Sequence, residues 1–176
     1  MEITIRDATP EDVRAIREVY YKTWMATYPN EAHGILKSDI EDRYKHSFSP
    51  ESIKKGEELI QNLSENERIL VALADGVTVG TSKLKRGEER NEMRTIYILP
   101  EYQGRGIGKA LFAESLAWFD RDKDTQIDTA VYNIQAIKFY EGLGFVPTGE
   151  TFTEEEFRMP SGGIIHEQRM VRKRID

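Results

Sequence analysis

The sequence predicts a mixed α/β domain, of the α+β kind, spanning residues 1–176. Three observations carry this expectation. Short stretches with a two-residue apolar period alternate along the chain with stretches of three- and four-residue period. Asp75-Gly76 is a strong hairpin signal, and a third strand follows after a polar turn, which makes a meander. A strand then runs through Pro100 into closely spaced glycines that open a helix.

In chain order, Ile3 and Ile5 alternate with Thr4 and Arg6 as in a short strand. Thr9-Pro10-Glu11-Asp12 combines a capping hydroxyl, a proline suited to the first helical position and early acids that complement the helix dipole. Val13, Ile16, Val19, Tyr20 and Trp24 then trace one inward helix face. A second helix is expected from Ser38 with Glu41 in the capping-box position, and a third from Ser49-Pro50 through Leu63. The meander comprises Arg68 to Ala74, Val77 to Leu84 and Glu92 to Leu99. A helix follows from Gly104 to Phe119, and the charged run Asp120 to Asp124 reads as a solvated loop. Ile127 to Tyr132 is a strand, Asn133 to Leu143 a helix, and Phe145 to Gly149 the start of a strand. Glu154-Glu155-Glu156 reads as a loop, and His166 to Arg172 as a final strand.

Composition excludes several function classes. With 25 Lys plus Arg against 31 Asp plus Glu, the formal charge is −6, which argues against a generic nucleic-acid surface. The absence of cysteine removes disulfides, thiolate metal sites and cysteine nucleophiles together, and it suits a cytoplasmic location. His33, His46 and His166 show no ligand spacing, so no metal is expected. The N-terminus lacks the features of a secretory signal, and no apolar run of about 18 residues occurs, so no membrane partner is expected.

The glycines after Pro100 are the most informative stretch. Unpaired amides in the first turn of a helix, approached through glycines, form an anion site. A P-loop fails here, because Gln103 stands where its first glycine belongs and Ala110 where its hydroxyl belongs. A dinucleotide fingerprint fails on spacing, since Gly104, Gly106 and Gly108 lie too close together, which disfavours a nucleotide-dependent oxidoreductase.

A third pattern fits. Gln103-x-x-Gly106-x-Gly108, preceded by Glu92-Met93-x-x-Ile96-Tyr97-Ile98-x-Pro100, resembles the acetyl-CoA signature of the GNAT (Gcn5-related) N-acetyltransferase superfamily. The segment from Asn133 through Ala136, Phe139 and Tyr140 to Gly144-Phe145 resembles that family's second block. The resemblance implies a central, mostly antiparallel sheet with a splayed parallel strand pair and helices on both faces. It also implies acetyl-CoA as co-substrate, with the pyrophosphate on the backbone of Gln103, Gly104, Arg105, Gly106, Ile107 and Gly108 and with Lys109 at the rim. Ile96, Tyr97 and Ile98 would border the pantetheine arm, and the Ile98 amide would polarise the thioester carbonyl.

By the same resemblance, Tyr140 would protonate the departing thiolate, and Asn133 would contact the pantetheine or cap its own helix. Glu92 matches a family glutamate that serves as general base in some members. Lying six residues before Ile98, it is expected on the same sheet face. Trp24 and Tyr28, four apart, are expected on one helix face as a rim pair able to stack on an amine. The expected activity is acetylation of a primary amine, such as a polyamine or another small cationic amine, by direct attack in a ternary complex. The alternatives are a protein N-terminal or lysine acetyltransferase and a non-catalytic CoA-binding module. Monomer and homodimer both remain open.

Overall fold

The computed structural model describes residues 1–174, so Ile175 and Asp176, the last two residues of the expected domain, lie outside it. The strands are β1 (Ile3–Asp7), β2 (Glu67–Ala74), β3 (Val77–Arg86), β4 (Asn91–Ile98), β5 (Thr125–Ala130), β6 (Val146–Arg158) and β7 (Ile164–Arg172). The helices are α1 (Val13–Thr27), α2 (Lys37–Tyr44), α3 (Pro50–Gln61), α4 (Ile107–Trp118) and α5 (Ile134–Glu141). The strands form one seven-stranded sheet in the order β1-β2-β3-β4-β5-β7-β6. Its neighbours are antiparallel except β4 and β5.

Both sheet faces carry apolar residues, and both are covered. On one face Leu70, Leu84, Met93, Ile127 and Met170 pack with Leu111 and Phe112 of α4 and Tyr140 of α5. On the other, Ala130, Met159 and Ile165 pack with Trp24 and Tyr28 at the end of α1 and with Ile40 of α2. This is the expected layering of helices on both faces.

The parallel pair is joined at one end only. Asn91 pairs with Thr125 and Glu92 with Gln126, and beyond these two positions the strands part. Asn91, 1% exposed, pins the closed end. Its amide donates to the Asp124 carbonyl (2.8 Å), its side-chain nitrogen donates to the Asp120 carbonyl (2.8 Å), and its side-chain oxygen accepts from the Asp120 amide (3.2 Å). The charged run after α4 is therefore more than a solvated loop, because its backbone bonds to Asn91 at the apex of the splay.

Two sequence expectations are corrected. Helix α2 starts at Lys37, not Ser38, and the carboxylate that accepts the orphan amide of Leu36 is Asp39 (2.7 Å), not Glu41. Tertiary contact decided between the two acids: Asp39, 3% exposed, also accepts from the amide (3.0 Å) and hydroxyl (2.7 Å) of Ser161 in the β6–β7 turn. Strand β6 runs through Glu154-Glu155-Glu156, which the sequence reading placed in a loop. The triplet falls where the ladder to β7 is interrupted, between Thr153↔His166 and Arg158↔Ile164. An edge strand tolerates such charges because their side chains stay in water.

Asp39→Ala removes the acceptor for three donors at once and unties α2 from the β6–β7 turn. The expected loss is about 2–3 kcal/mol, read as a lower urea midpoint with an unchanged slope.

Candidate active site

The site grows from an irregularity in β4. In the pairing with β3, Lys83 faces Thr95 and Leu84 faces Met93, so Arg94 is an extra residue that faces none. The bulge reverses the side-chain alternation. Leu84 and Gly80 share a face of β3, so their partners Met93 and Ile98 share a face of β4 although they are five residues apart. Glu92 therefore points to the opposite face from Ile98, which corrects the expectation of a common face. It also sits at the closed end of the splay, about 15–20 Å from Ile98 along the strand. There it accepts from Arg94 Nε (3.1 Å). Glu92 is not among the residues lining either cavity described below.

At the open end, Leu99 donates its amide to Val79 of β3 (2.9 Å). By alternation the amides of Ile98 and Ile96 turn toward the edge that β5 has left. The Ile98 carbonyl on this edge accepts from the Gln103 side chain (3.1 Å) and from the Thr23 hydroxyl (3.4 Å). Gln103 in turn accepts from Gln135 (3.0 Å), so its side chain ties the end of β4 to α5 across the mouth of the splay.

The glycine loop supplies donors to the same opening. Gly104 and Gly106 have φ of +73° and +84°, left-handed values that a side chain disfavours. Helix α4 closes its first hydrogen bond from the Ala110 amide to the Gly106 carbonyl (3.0 Å). Among the described residues, no amide from Gly104 through Lys109 donates to a protein acceptor. These free amides, at the positive end of a helix dipole, form an anion cradle. Gly108 has a different purpose: a Cβ there would lie 2.8 Å from the Phe139 ring, so the glycine lets α4 and α5 approach.

Helix α5 forms the opposite wall. Asn133 caps it by accepting from the Ala136 amide (3.1 Å). Tyr140 packs its ring against Phe139 and Phe145 (centroids 5.4 and 5.9 Å). Its hydroxyl makes no hydrogen bond with a described residue, yet no fully buried side-chain polar atom among the described residues is left without a partner. The hydroxyl therefore reaches the cavity. Burial first, and the neighbouring Tyr97 second, push the phenol above its ordinary value and keep it protonated.

Together these parts enclose a cavity of about 490 Å³. Of the sequence-predicted residues, Tyr28, Ile96, Tyr97, Ile98, Gln103, Gly104, Gly106, Ile107, Gly108, Lys109, Asn133 and Tyr140 line it. Arg105 does not: its guanidinium lies over the Tyr102 ring (5.4 Å).

A second cavity of about 390 Å³ adjoins the first, with Tyr28, Arg94, Thr95, Tyr97 and Asp128 lining both. Trp24 and Tyr28 do share one helix face, with ring centroids 4.3 Å apart. They are buried walls rather than an exposed rim pair, at 5% and 9% exposure. Trp24 donates to the Tyr97 hydroxyl (3.2 Å), and Tyr44 and Phe157 complete an aromatic lining. Arg43 lies over the rings of Trp24 (4.7 Å) and Phe157 (5.5 Å).

Two acids face this aromatic chamber. Asp128 of β5 accepts from Arg169 Nε (3.0 Å) and Nη2 (3.3 Å). Glu167 of β7 lines the chamber with no hydrogen bond or ion pair to a described residue. Burial, reinforced by the charges of Asp128, Glu154 and Glu156 and opposed by Arg169, pushes its carboxyl up to about 7. The sequence reading missed Glu167. Its one signal was an acid two residues after Ile165, on the face that a two-residue period marks as buried.

A cleft between parting strands that ends in a helix cradle for an anion, and that meets an aromatic, acidic chamber, is the layout of a group-transfer enzyme with two converging substrates. Comparison with known proteins gives the family. A model of the Acetyltransferase (GNAT) family matches residues 15–145, and the chain belongs to that family. It is a GNAT-type N-acetyltransferase that transfers acetyl to an amine. It is 29% identical over 171 residues to the aminoglycoside N(6')-acetyltransferase type 1 of Stenotrophomonas maltophilia, covering 89% of this chain and 93% of that one. It is 30% identical over 117 residues to the spermidine N(1)-acetyltransferase of Thermoplasma acidophilum, covering 65% and 69%. The PaiA N-acetyltransferase of Thermoplasma acidophilum, solved in complex with coenzyme A, shares the fold with a TM-score of 0.73 at 24% identity over 98% of this chain and 99% of that one. Among the described residues, no helix is long and apolar enough to cross a membrane, and no group of three or more His, Asp or Glu side chains could hold a metal ion.

Proposed function

We propose that this enzyme transfers acetyl from acetyl-CoA to a primary amine of a small cationic acceptor, by direct attack within a ternary complex. The observation that carries this reading is the junction of the two cavities at Tyr28, Tyr97 and Asp128. One cavity offers free amides for a polyanion, and the other offers aromatic faces and carboxylates for an ammonium.

In this reading the amides from Gly104 to Lys109 hold the pyrophosphate, with Gln103 fixing the loop to β4 and α5. The pantetheine arm lies along the Ile96 to Ile98 edge, bordered by Tyr97, with Asn133 on the facing wall. The Ile98 amide bonds the carbonyl oxygen more strongly as it gains charge in the tetrahedral state. Tyr140 gives its proton to the departing thiolate. Glu92 takes no proton here; it pairs with Arg94 at the closed end of the splay. No cysteine is present to carry an acyl-enzyme.

The aminoglycoside and spermidine acetyltransferases it resembles support a multiply charged acceptor. The test is thiol release from acetyl-CoA over a panel of spermidine, kanamycin, free amino acids and peptides. The reading expects kcat/KM for spermidine or kanamycin to exceed that for any peptide by at least about tenfold, since a few kcal/mol of cation–π and carboxylate contact is lost by a neutral chain. A peptide as best acceptor would favour a protein acetyltransferase. Acetyl-CoA binding with no thiol release for any amine would favour a binding module.

A further inference from the structure

We propose that Glu167 is the general base that takes the proton from the acceptor ammonium, a role that rests on the amine-acetyltransfer reading above. Three geometric facts support it. Glu167 pairs with Ala130, the last residue of β5, and so stands at the open end of the strand that diverges from β4. It faces the aromatic chamber beside Asp128, which lines both cavities. Its carboxylate has no partner among the described residues and, since no fully buried side-chain polar atom among them is unpartnered, its oxygens reach the chamber.

The two chamber acids divide the work. Asp128 is held in place by two bonds from Arg169, which fixes its carboxylate for contact with the cation. Glu167, beside it and without a partner among the described residues, is the acid free to exchange a proton. The charges that reach it are those of Asp128 from β5, of the exposed Glu154 and Glu156 from β6, and of Arg169 from β7 itself. Arg43 of α2 and Arg94 of β4 complete the charged wall. The phenols within reach of its charge, Tyr28, Tyr97 and Tyr132, are all raised and stay neutral in the working range.

The step balances as follows. The ammonium gives one proton to the Glu167 carboxylate, and the free amine attacks the thioester carbonyl, forming the C–N bond. The C–S bond breaks, the thiolate takes the Tyr140 proton, and the tyrosinate recovers a proton from the former amine nitrogen. Glu167 releases its proton to solvent. The products are the N-acetyl amine, CoA thiol and one proton.

The test compares the wild type, Glu167→Gln and Glu167→Asp by thiol release at saturating spermidine or kanamycin between pH 5.5 and 9, with acetyl-CoA affinity measured by calorimetry. The base must be ionised, so wild-type kcat rises with pH through about 7 and then levels. Glu167→Gln is expected to lose this limb and about 10²-fold in kcat at pH 8, with acetyl-CoA affinity unchanged, while Glu167→Asp keeps the limb at reduced rate. Because the folded carboxyl titrates above its unfolded value, ionising it costs stability, so Glu167→Gln melts no lower than the wild type above pH 7. Wild-type turnover with an unaltered limb and rate in Glu167→Gln would overturn this role alone. Absence of wild-type thiol release for every amine would overturn the transfer reading, and this role with it.

Discussion

Tyr140→Phe lowers kcat by about 10³-fold while leaving acetyl-CoA affinity within about twofold, within the span that general acid catalysis supplies. The variant deletes one oxygen from a ring packed on Phe139 and Phe145, a surrounding that accepts phenylalanine without a cavity. No hydrogen bond to a described residue is lost, because the hydroxyl makes none, so stability is expected to hold. In the proposed reaction, what disappears is the proton for the leaving thiolate. Since burial raises the Tyr140 phenol, the wild-type acid stays loaded through neutral pH, and its alkaline limb lies well above the Glu167 limb. Rapid-mixing measurement of thiol release against calorimetric Kd separates the two effects. A kcat within threefold of the wild type would remove Tyr140 from the chemistry.

The second large effect falls on binding. Gly106→Val is expected to weaken acetyl-CoA binding by more than about 10²-fold. Space is not the obstacle, for a Cβ at Gly106 meets nothing within 4 Å. The obstacle is φ of +84° at the N-cap of α4, a conformation that a β-branched residue resists most. Relieving that strain swings the amides from Gly104 to Lys109 out of the geometry proposed to hold the phosphates. A hydrogen bond to a charged group is worth about 1.5–3 kcal/mol, so losing two suffices for the predicted factor. Gly106→Asn is the control. Asparagine tolerates the left-handed region and should retain binding within about tenfold. Calorimetry with CoA checks the pair, and equal affinity for the valine variant and the wild type would contradict the cradle.

What the sequence made legible were features with local causes. Ser49-Pro50 at the start of α3, Asp75-Gly76 between β2 and β3, the glycines ahead of α4 and the Asn133 cap of α5 each act through their own backbone and neighbours. What stayed hidden depends on partners distant in the chain. The Arg94 bulge carries no glycine or proline to announce it; pairing with β3 creates it, and it moves Glu92 to the wrong face for the assigned role. The choice of Asp39 over Glu41 was made by Ser161, and the extension of β6 through three glutamates by pairing with β7. Glu167 became visible only when β5, β6 and β7 lay side by side, because its proton affinity is set by burial and by acids from the other two strands.

The bulge also bears on mechanism. One extra residue in β4 shifts the alternation by one, so that beyond it Ile96 to Ile98 stay paired with β3 while β5 departs from their other edge. The same reversal sends Tyr97 into the aromatic chamber, where its hydroxyl accepts from Trp24 and lies 3.4 Å from that of Tyr28. In the proposed reaction, the edge bordering the cofactor and a wall of the acceptor chamber thus come from one strand.

The central claim, direct passage of acetyl between two substrates held together, is tested most directly by initial rates of thiol release over a grid of acetyl-CoA and spermidine or kanamycin concentrations, with product mass recorded. Direct transfer predicts intersecting double-reciprocal lines, one thiol released per N-acetylated amine, and no acetylated protein when acetyl-CoA is supplied alone. Parallel lines with a stoichiometric acetyl-protein would contradict it, as they are the marks of a covalent intermediate.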